Sequence, residues 1–327
     1  MSTRALVSGM GGFAGSHLAE HLIQEGLSVH GTVVSNGDAD PDLARLARSA
    51  LVHRCDIRSY AAVSELVATV EPGVIFHLAA VSSVPYGEEH PDELFAVNLS
   101  GTLHVLEAAS RYAPGCTVVV ISSPEVYGKV ASEECPIKEE RPLRPVHSYG
   151  LSKALAEEVA LFYHRQRGLS VVILRPFNHI GPRQADSFVC SNFCKQAALI
   201  DLGRMPPVMR VGNLSSVRDF TDVRDVVRGY RLAAERCKSG RIYHIASGTG
   251  TSIRDVLNIV LSFVDMEIEV EQDPSRLRTV ETPVFIGDAS RFAAETGWRP
   301  RISLSQSLYD CFTYWRERVV RQAPPTP

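Results

Sequence analysis

The feature that most restricts this chain is an alternation running through its first half. Nearly continuous aliphatic runs at 5–8, 28–34, 51–54, 74–78, 117–122 and 171–174 are separated by helical patterns at 13–25, 43–49, 61–70, 94–112 and 149–167. A strand with one wet face alternates apolar and polar residues. A run that is apolar throughout is covered on both faces, the condition of a parallel strand packed between helices. The pattern therefore predicts an α/β fold built on a doubly wound parallel sheet. After Arg175 the texture changes to turns and short elements, with helices expected at 222–236 and 253–264 and a strand at 242–245. We read these as a smaller C-terminal α/β lobe. The first domain is expected to take 1–175 plus about 214–246, and the lobe about 176–213 and 247–322. The proline-rich residues 323–327 cannot continue a helix and are expected to form a flexible tail.

Composition removes several function classes. The 327 residues carry 34 Lys and Arg against 37 Asp and Glu, a formal charge of -3, so no broad cationic surface is available for nucleic acid. No apolar run approaches the ~18 residues that a membrane helix needs, and no charged leader with a cleavage site precedes the first strand. A cytoplasmic protein with neither nucleic-acid nor membrane partners is expected. The seven cysteines are odd in number and scattered, which suits reduced thiols. Cys190 and Cys194 share a helix face without a second ligand pair, and are read as small packing residues rather than a zinc site.

The first aliphatic run ends in Gly9-Met-Gly-Gly12-Phe13-Ala-Gly15, at the junction with the first helix. Gly9 permits the tight turn, Gly12 lets backbone N–H groups approach a pyrophosphate at the positive helix end, and Gly15 allows helix and strand to pack closely. This places a dinucleotide on a Rossmann-like sheet. At the end of the second strand an acid would bind the adenosine ribose and an arginine would favour a 2′-phosphate. The segment here offers Ser35 and Asn36 instead, so NADP(H) is expected with NAD(H) possible. Asp56, after the third strand, is positioned either to accept from the adenine amino group or to close an Asx turn. The first helix also contains His17-Leu-Ala-Glu-His21, a metalloprotease-like spacing. It lies behind the dinucleotide turn without an obvious third ligand, and we read it as a solvated polar face with no metal.

Reactive groups follow in Ser122-Ser123 and in Tyr149-Gly-Leu-Ser-Lys153. Tyr149 and Lys153 are four residues apart and share one helix face. An ammonium beside a phenol favours the phenolate, so the tyrosine is expected to act as an acid or base near neutral pH, with Ser123 holding the reacting oxygen.

Together these motifs resemble the extended short-chain dehydrogenase/reductases of nucleotide-sugar metabolism. Further matching segments are His77-Leu78-Ala79-Ala80, Asn98 with Gly101, Arg175-Pro176-Phe-Asn178, Arg218-Asp-Phe and Thr296-Gly-Trp-Arg-Pro300. The resemblance implies that Phe13, Ile57, Leu78, Ala79, Ala80, Asn98 and Pro176 join the glycine turn in holding the cofactor. It likewise implies that Ser83, Ser123, Glu125, Asn178, Val189, Lys195, Arg218 and Arg278 face the sugar nucleotide. It also implies a homodimer, paired through the helices at 94–112 and 149–167 as a four-helix bundle.

Within the family, the stretches 175–182, 186–189 and 211–225 are most similar to reductases that convert GDP-4-dehydro-6-deoxy-D-mannose to GDP-D-rhamnose. A GDP-linked 6-deoxy-4-keto sugar is then the implied substrate. The sister reading is a GDP-mannose 4,6-dehydratase, which needs a base beside the reactive serine. Glu125 stands at that position, but its neighbour Pro124 can donate no proton. Another 4-ketoreductase, a 4-epimerase and a dinucleotide-binding sensor that does no chemistry are the remaining alternatives; the sensor is disfavoured because serine, tyrosine and lysine are all present.

Overall fold

A computed structural model describes residues 3–34, 41–276 and 282–321. Ser35, Asn36, Arg278 and the tail 323–327 lie outside the described residues.

The first half alternates as its aliphatic runs demand: β1 (Arg4–Ser8), α1 (Phe13–Gln24), β2 (Ser28–Val33), α2 (Pro41–Leu46), β3 (Leu51–Arg54), α3 (Tyr60–Val70) and β4 (Val74–His77). There follow α4 (Val84–Glu89), α5 (Pro91–Phe95), α6 (Gly101–Tyr112), β5 (Thr117–Ile121), α7 (Ser148–Arg167) and β6 (Ser170–Pro176). The remainder comprises β7 (Asn178–Ile180), α8 (Val189–Asp201), β8 (Val208–Val211), β9 (Val217–Asp222), α9 (Val223–Arg236), β10 (Arg241–Ile245) and β11 (Gly250–Ser252). The chain then forms α10 (Ile253–Leu261), β12 (Glu269–Gln272), β13 (Val284–Phe285), α11 (Ser290–Thr296) and α12 (Leu304–Arg321).

Seven parallel strands form one sheet in the order β10-β6-β5-β4-β1-β2-β3. The order reverses direction between β1 and β4, and ligands of doubly wound sheets bind in the crevice at the carboxyl ends of such a pair. Helices α1 and α9 cover one face through Leu18, Leu22, Val226 and Tyr230, and α3, α6 and α7 cover the other through Val67, Leu106 and Ala160. A third core joins α8, α10 and α12 through Phe193, Val256 and Phe312 beside a four-stranded sheet in which β9 pairs with β7, β11 and β13. The segment 214–246 is thus divided: β9 lies in the smaller sheet, while β10 extends the large one.

Two expectations need correction here. The helical pattern at 94–112 is not one continuous α-helix, because Ala96–Ser100 form a π-helical turn between α5 and α6. Nor is the polar side of α1 solvated. His17 is buried, its Nε2 meets the carbonyl of Pro182 at 2.9 Å, and its Nδ1 accepts from Arg183 at 2.6 Å. Periodicity measured the polarity of that face correctly but carried no information about the later segment that docks on it. Among the described residues no group of three metal-ligating side chains occurs and no helix is long and apolar enough to cross a membrane.

Candidate active site

The site is built where β1, β4, β5 and β6 end. At the β1 end, Gly9 has φ +75°, and a Cβ there would lie 2.9 Å from Ala79. At Gly15 a Cβ would lie 2.1 Å from the Gly9 carbonyl oxygen. Both contacts are prohibitive, so the turn exists only with glycine at these positions. Gly12 occupies the N-cap of α1 and offers no side chain to cover the first N–H groups of the helix. Such a bare, positive helix end fits a pyrophosphate.

A buried relay then fixes the loop that follows β4. Ser8 Oγ accepts from the N–H groups of Leu78 and Ala79 at 3.1 and 3.2 Å and meets His77 Nδ1 at 2.7 Å. His77 Nε2 meets Thr102 Oγ1 at 2.9 Å, and the Thr102 hydroxyl donates to the Asn98 carbonyl at 2.6 Å. Because that hydroxyl spends its proton on Asn98, the ring must donate from Nε2 and accept at Nδ1. Burial, with the charge of Lys153, lowers the His77 pKa to about 3, so the ring is neutral and the chain of donors is fixed. Ala80 follows directly. Asn98 closes the loop from the other side: its Oδ1 accepts from Val81 N–H at 2.8 Å, and its Nδ2 donates to the Val81 carbonyl and to Ser152 Oγ, each at 3.0 Å. The π-helical turn presents Asn98 in this position, and Ser152 lies on α7 between Tyr149 and Lys153. Gly101 packs against Ile57, where a Cβ would come within 2.5 Å of its side chain.

Ser123, Glu125, Tyr149 and Lys153 converge. Ser123 follows β5, and its hydroxyl lies close enough to the phenol of Tyr149 to act on its titration. Burial pushes the Tyr149 pKa up to about 12; the Ser123 hydroxyl opposes this and the Glu125 charge adds to it. The shift runs opposite to the lowering expected from Lys153: burial dominates and favours the protonated phenol, the form in which Tyr149 acts as an acid. Lys153 donates from Nζ to the Ile121 carbonyl at 2.9 Å. Burial lowers its pKa to about 8, against the attraction of Glu157.

Beneath these groups lies a closed polar network that sequence reasoning missed. Glu157, one further helical turn from Lys153, forms a buried ion pair with Arg175, with Nε to Oε1 at 2.8 Å. Ser122 donates to the same carboxylate. Arg175 also donates to Tyr127 at 2.5 Å, and Tyr127 meets His244 Nε2 at 2.6 Å. His147 was missed as well. Its Nδ1 accepts from Gly150 N–H at 3.0 Å, capping α7, so its Nε2 carries the proton donated to Glu125 Oε2 at 2.9 Å. One ring thus fixes both the start of the tyrosine helix and the direction of the Glu125 carboxylate. A histidine two residues before the expected helix start was the available signal, but histidine is an uncommon cap.

The other expected residues are more dispersed. Asp56 accepts from Arg58 N–H at 2.9 Å and from its guanidinium at 2.6 Å, so the Asx turn forms and the carboxyl is held below its usual range by Arg58. Pro176 ends β6 in the core, and Asn178 begins β7 with its side chain exposed. Phe13 stacks on His179 with ring centroids 5.7 Å apart. Arg218 lies on β9 and donates to its own strand at the Val217 carbonyl, 2.9 Å away. Val189 is exposed at the start of α8. Lys195, on the same helix, reaches Asp186 at 2.5 Å over the Trp315 ring. Ser83 caps α4.

Known proteins resemble this chain along nearly its whole length. The family model described as GDP-mannose 4,6 dehydratase matches residues 6–311. GDP-6-deoxy-D-mannose reductase of Pseudomonas aeruginosa is 33% identical over 319 residues, covering 98% of this chain and 99% of its own. The solved structure of the RMD protein from Pseudomonas aeruginosa complexed with NADPH superposes with a TM-score of 0.86 at 32% identity, covering 97% of this chain and all of that one (100%). UDP-glucose 4-epimerase of Thermotoga maritima, solved with UDP-glucose, gives the same TM-score of 0.86 at 26% identity, covering 97% of this chain and 99% of that one. The fold alone therefore does not separate reductase from epimerase. By a family match over nearly its whole length and by the relative it most resembles among these, the chain belongs to the GDP-mannose 4,6-dehydratase family, within the extended short-chain dehydrogenase/reductases.

Proposed function

We propose that this protein reduces the C4 keto group of GDP-4-dehydro-6-deoxy-D-mannose to give GDP-D-rhamnose. The observation that carries this reading is the convergence of Ser123 and Tyr149 at the end of β5, a hydroxyl beside a half-buried phenol whose pKa is raised. A keto oxygen that becomes an alkoxide needs a proton donor held at bonding distance, and Tyr149 in that state meets the need. NAD(P)H, when bound, supplies the hydride. Gly9, Gly12 and Gly15 fit its pyrophosphate, and Leu78, Ala79, Ala80 and Asn98 wall the route toward Tyr149. Ser123 orients the carbonyl, and Lys153, once turned from Ile121, holds the ribose hydroxyls. Asn178 is assigned to the sugar nucleotide, and Arg218 and Arg278 to its diphosphate, a ligand suited to guanidinium groups. Ser83, Val189 and Lys195 complete that assignment at the rim.

The dehydratase reading rests on a specific contact, the carboxylate of Glu125 aligned by His147. The purified protein is to be incubated with GDP-mannose and NADP+ in one tube, and with the 4-keto sugar and NADPH or NADH in another. Oxidation of reduced cofactor in the second alone supports the reductase; loss of water in the first overturns it.

In this reading the protein works as a homodimer. Leu103 and Tyr112 on α6, and Leu151, Leu155 and Phe162 on α7, are large apolar side chains left exposed, which a four-helix bundle between two copies would cover. A cytoplasmic site of action is supported by the seven cysteines, all free.

A further inference from the structure

At the end of β2, Val33 and Val34 carry no charge to choose between the cofactors. The folded chain brings charge there from elsewhere. A cleft opens beside the glycine turn, lined by Gly11, Gly12 and Asp42 together with Arg183, Tyr314 and Arg318. It adjoins the β2 end, because a Cβ at Gly11 would lie 3.3 Å from the Val33 side chain. Its two arginines come from sequence far downstream, one between β7 and α8 and the other on α12.

The cleft walls are not electrically equivalent. Arg183 is bound to Glu20 at 2.7 Å, and Asp42 has Arg45 at 4.0 Å, so these carboxylates already face guanidinium groups. Arg318 donates to the Tyr314 hydroxyl at 2.6 Å and lies over the rings of Tyr314 and Trp315, 5.9 and 5.7 Å from their centroids. Among the described residues it meets no carboxylate. An aromatic shelf thus holds one guanidinium, its charge uncompensated, at the mouth of a cleft whose floor is the start of α1. A pyrophosphate seated on the turn leaves the adenosine ribose next to the β2 end. A group added at its 2′-oxygen would then lie in this cleft.

We propose that Arg318, reaching from the C-terminal helix, is a specificity-determining residue that binds the 2′-phosphate of NADP(H). A phosphate monoester carries nearly two charges at neutral pH and accepts two parallel bonds from one guanidinium. NADH has only a hydroxyl there and gains nothing from Arg318. The inference rests on the cofactor of the proposed reductase and not on its sugar.

The test measures dissociation constants for NADPH and NADH by cofactor fluorescence with the wild-type protein, Arg318→Ala and Arg318→Lys. The wild type is expected to bind NADPH more tightly than NADH. Arg318→Ala should weaken NADPH about tenfold and leave NADH within about twofold, with Arg318→Lys recovering part of the loss. Adding salt should shrink the NADPH advantage of the wild type more than that of Arg318→Ala, because the site is exposed. Arg318 is exposed, so a near-normal melting temperature should show that the variants fold. An unchanged NADPH to NADH ratio in Arg318→Ala overturns the proposal, as does a wild type that favours NADH. Failure of both cofactors to bind would overturn the reductase reading with it.

Discussion

Two polar clusters share helix α7, and they differ in how completely they are bonded. The Glu157–Arg175–Tyr127–His244 cluster is buried, and each charge meets an opposite charge or a fixed donor. One helical turn away, Lys153 rests on a backbone carbonyl that asks for no positive charge, and a further turn away Tyr149 lies beside Ser123. A group with all its partners satisfied by protein can only hold position. A group with one replaceable partner can exchange it for a ligand, and we read the second cluster as the chemical one for that reason.

The largest test of this contrast removes one oxygen. Tyr149→Phe should lower turnover by about 10²–10⁴-fold, the usual worth of a positioned proton donor, while leaving cofactor affinity and thermal stability nearly unchanged. Stopped-flow oxidation of NADPH with the keto sugar measures it. A variant of normal turnover would mean that another group donates the proton.

The closed cluster should respond in the opposite way. Glu157→Ala strands the Arg175 guanidinium in the core, where burial opposes its charge and Glu157 now outweighs that burial. Removing one partner of such a pair typically costs about 3–5 kcal/mol of stability. Chemical denaturation should show that loss, or no folded protein at all. Arg175→Met with Glu157→Leu removes both charges, and should be more stable than Glu157→Ala. If the double variant is no better, the ion pair is not what the network protects.

This division also explains what was legible in sequence. Glycine spacing identified the turn because Gly9 and Gly15 are required by contacts within about 70 residues of chain, and Tyr149 and Lys153 were visible because a helix fixes their separation. The members of the Arg175 network come from β5's exit, α7 and β10, and no local spacing records them. His17 failed for the same reason: the loop carrying Pro182 and Arg183 covers it from 165 and 166 residues away. The sign of the Tyr149 shift depended on burial, which a pattern of types does not contain. Asp56 was legible as two alternatives, and Arg58, two residues on, selects the turn.

A pH-dependent effect of comparable size follows from the buried imidazoles. His17, His77 and His244 each have a pKa lowered from 6.5 to about 3, by burial first and then by Arg183, Lys153 and Arg175 respectively. The unfolded chain takes up these protons below pH 6.5 and the folded chain does not. Stability is then fully present above about pH 6.5 and is lost progressively as pH falls toward 3, with up to about 1.4 kcal/mol per pH unit from each ring. Most carboxylates titrate below this range, so melting temperatures between pH 6.5 and 5 isolate the histidines. A flat profile there would show that the rings are protonated in the fold.

The smallest expected effect has the opposite sign. Tyr230 sits fully buried on α9, and its hydroxyl has no hydrogen-bond partner among the described residues. An unpaired hydroxyl in an apolar core costs free energy, so Tyr230→Phe should stabilise the ligand-free protein by about 1 kcal/mol, where most core changes destabilise. Denaturant midpoints at constant slope would register it. A loss of stability instead would mean that an ordered water serves the hydroxyl. Tyr230 would then be a fully bonded group like those of the Arg175 cluster, rather than an unpaired hydroxyl whose ionisation burial opposes.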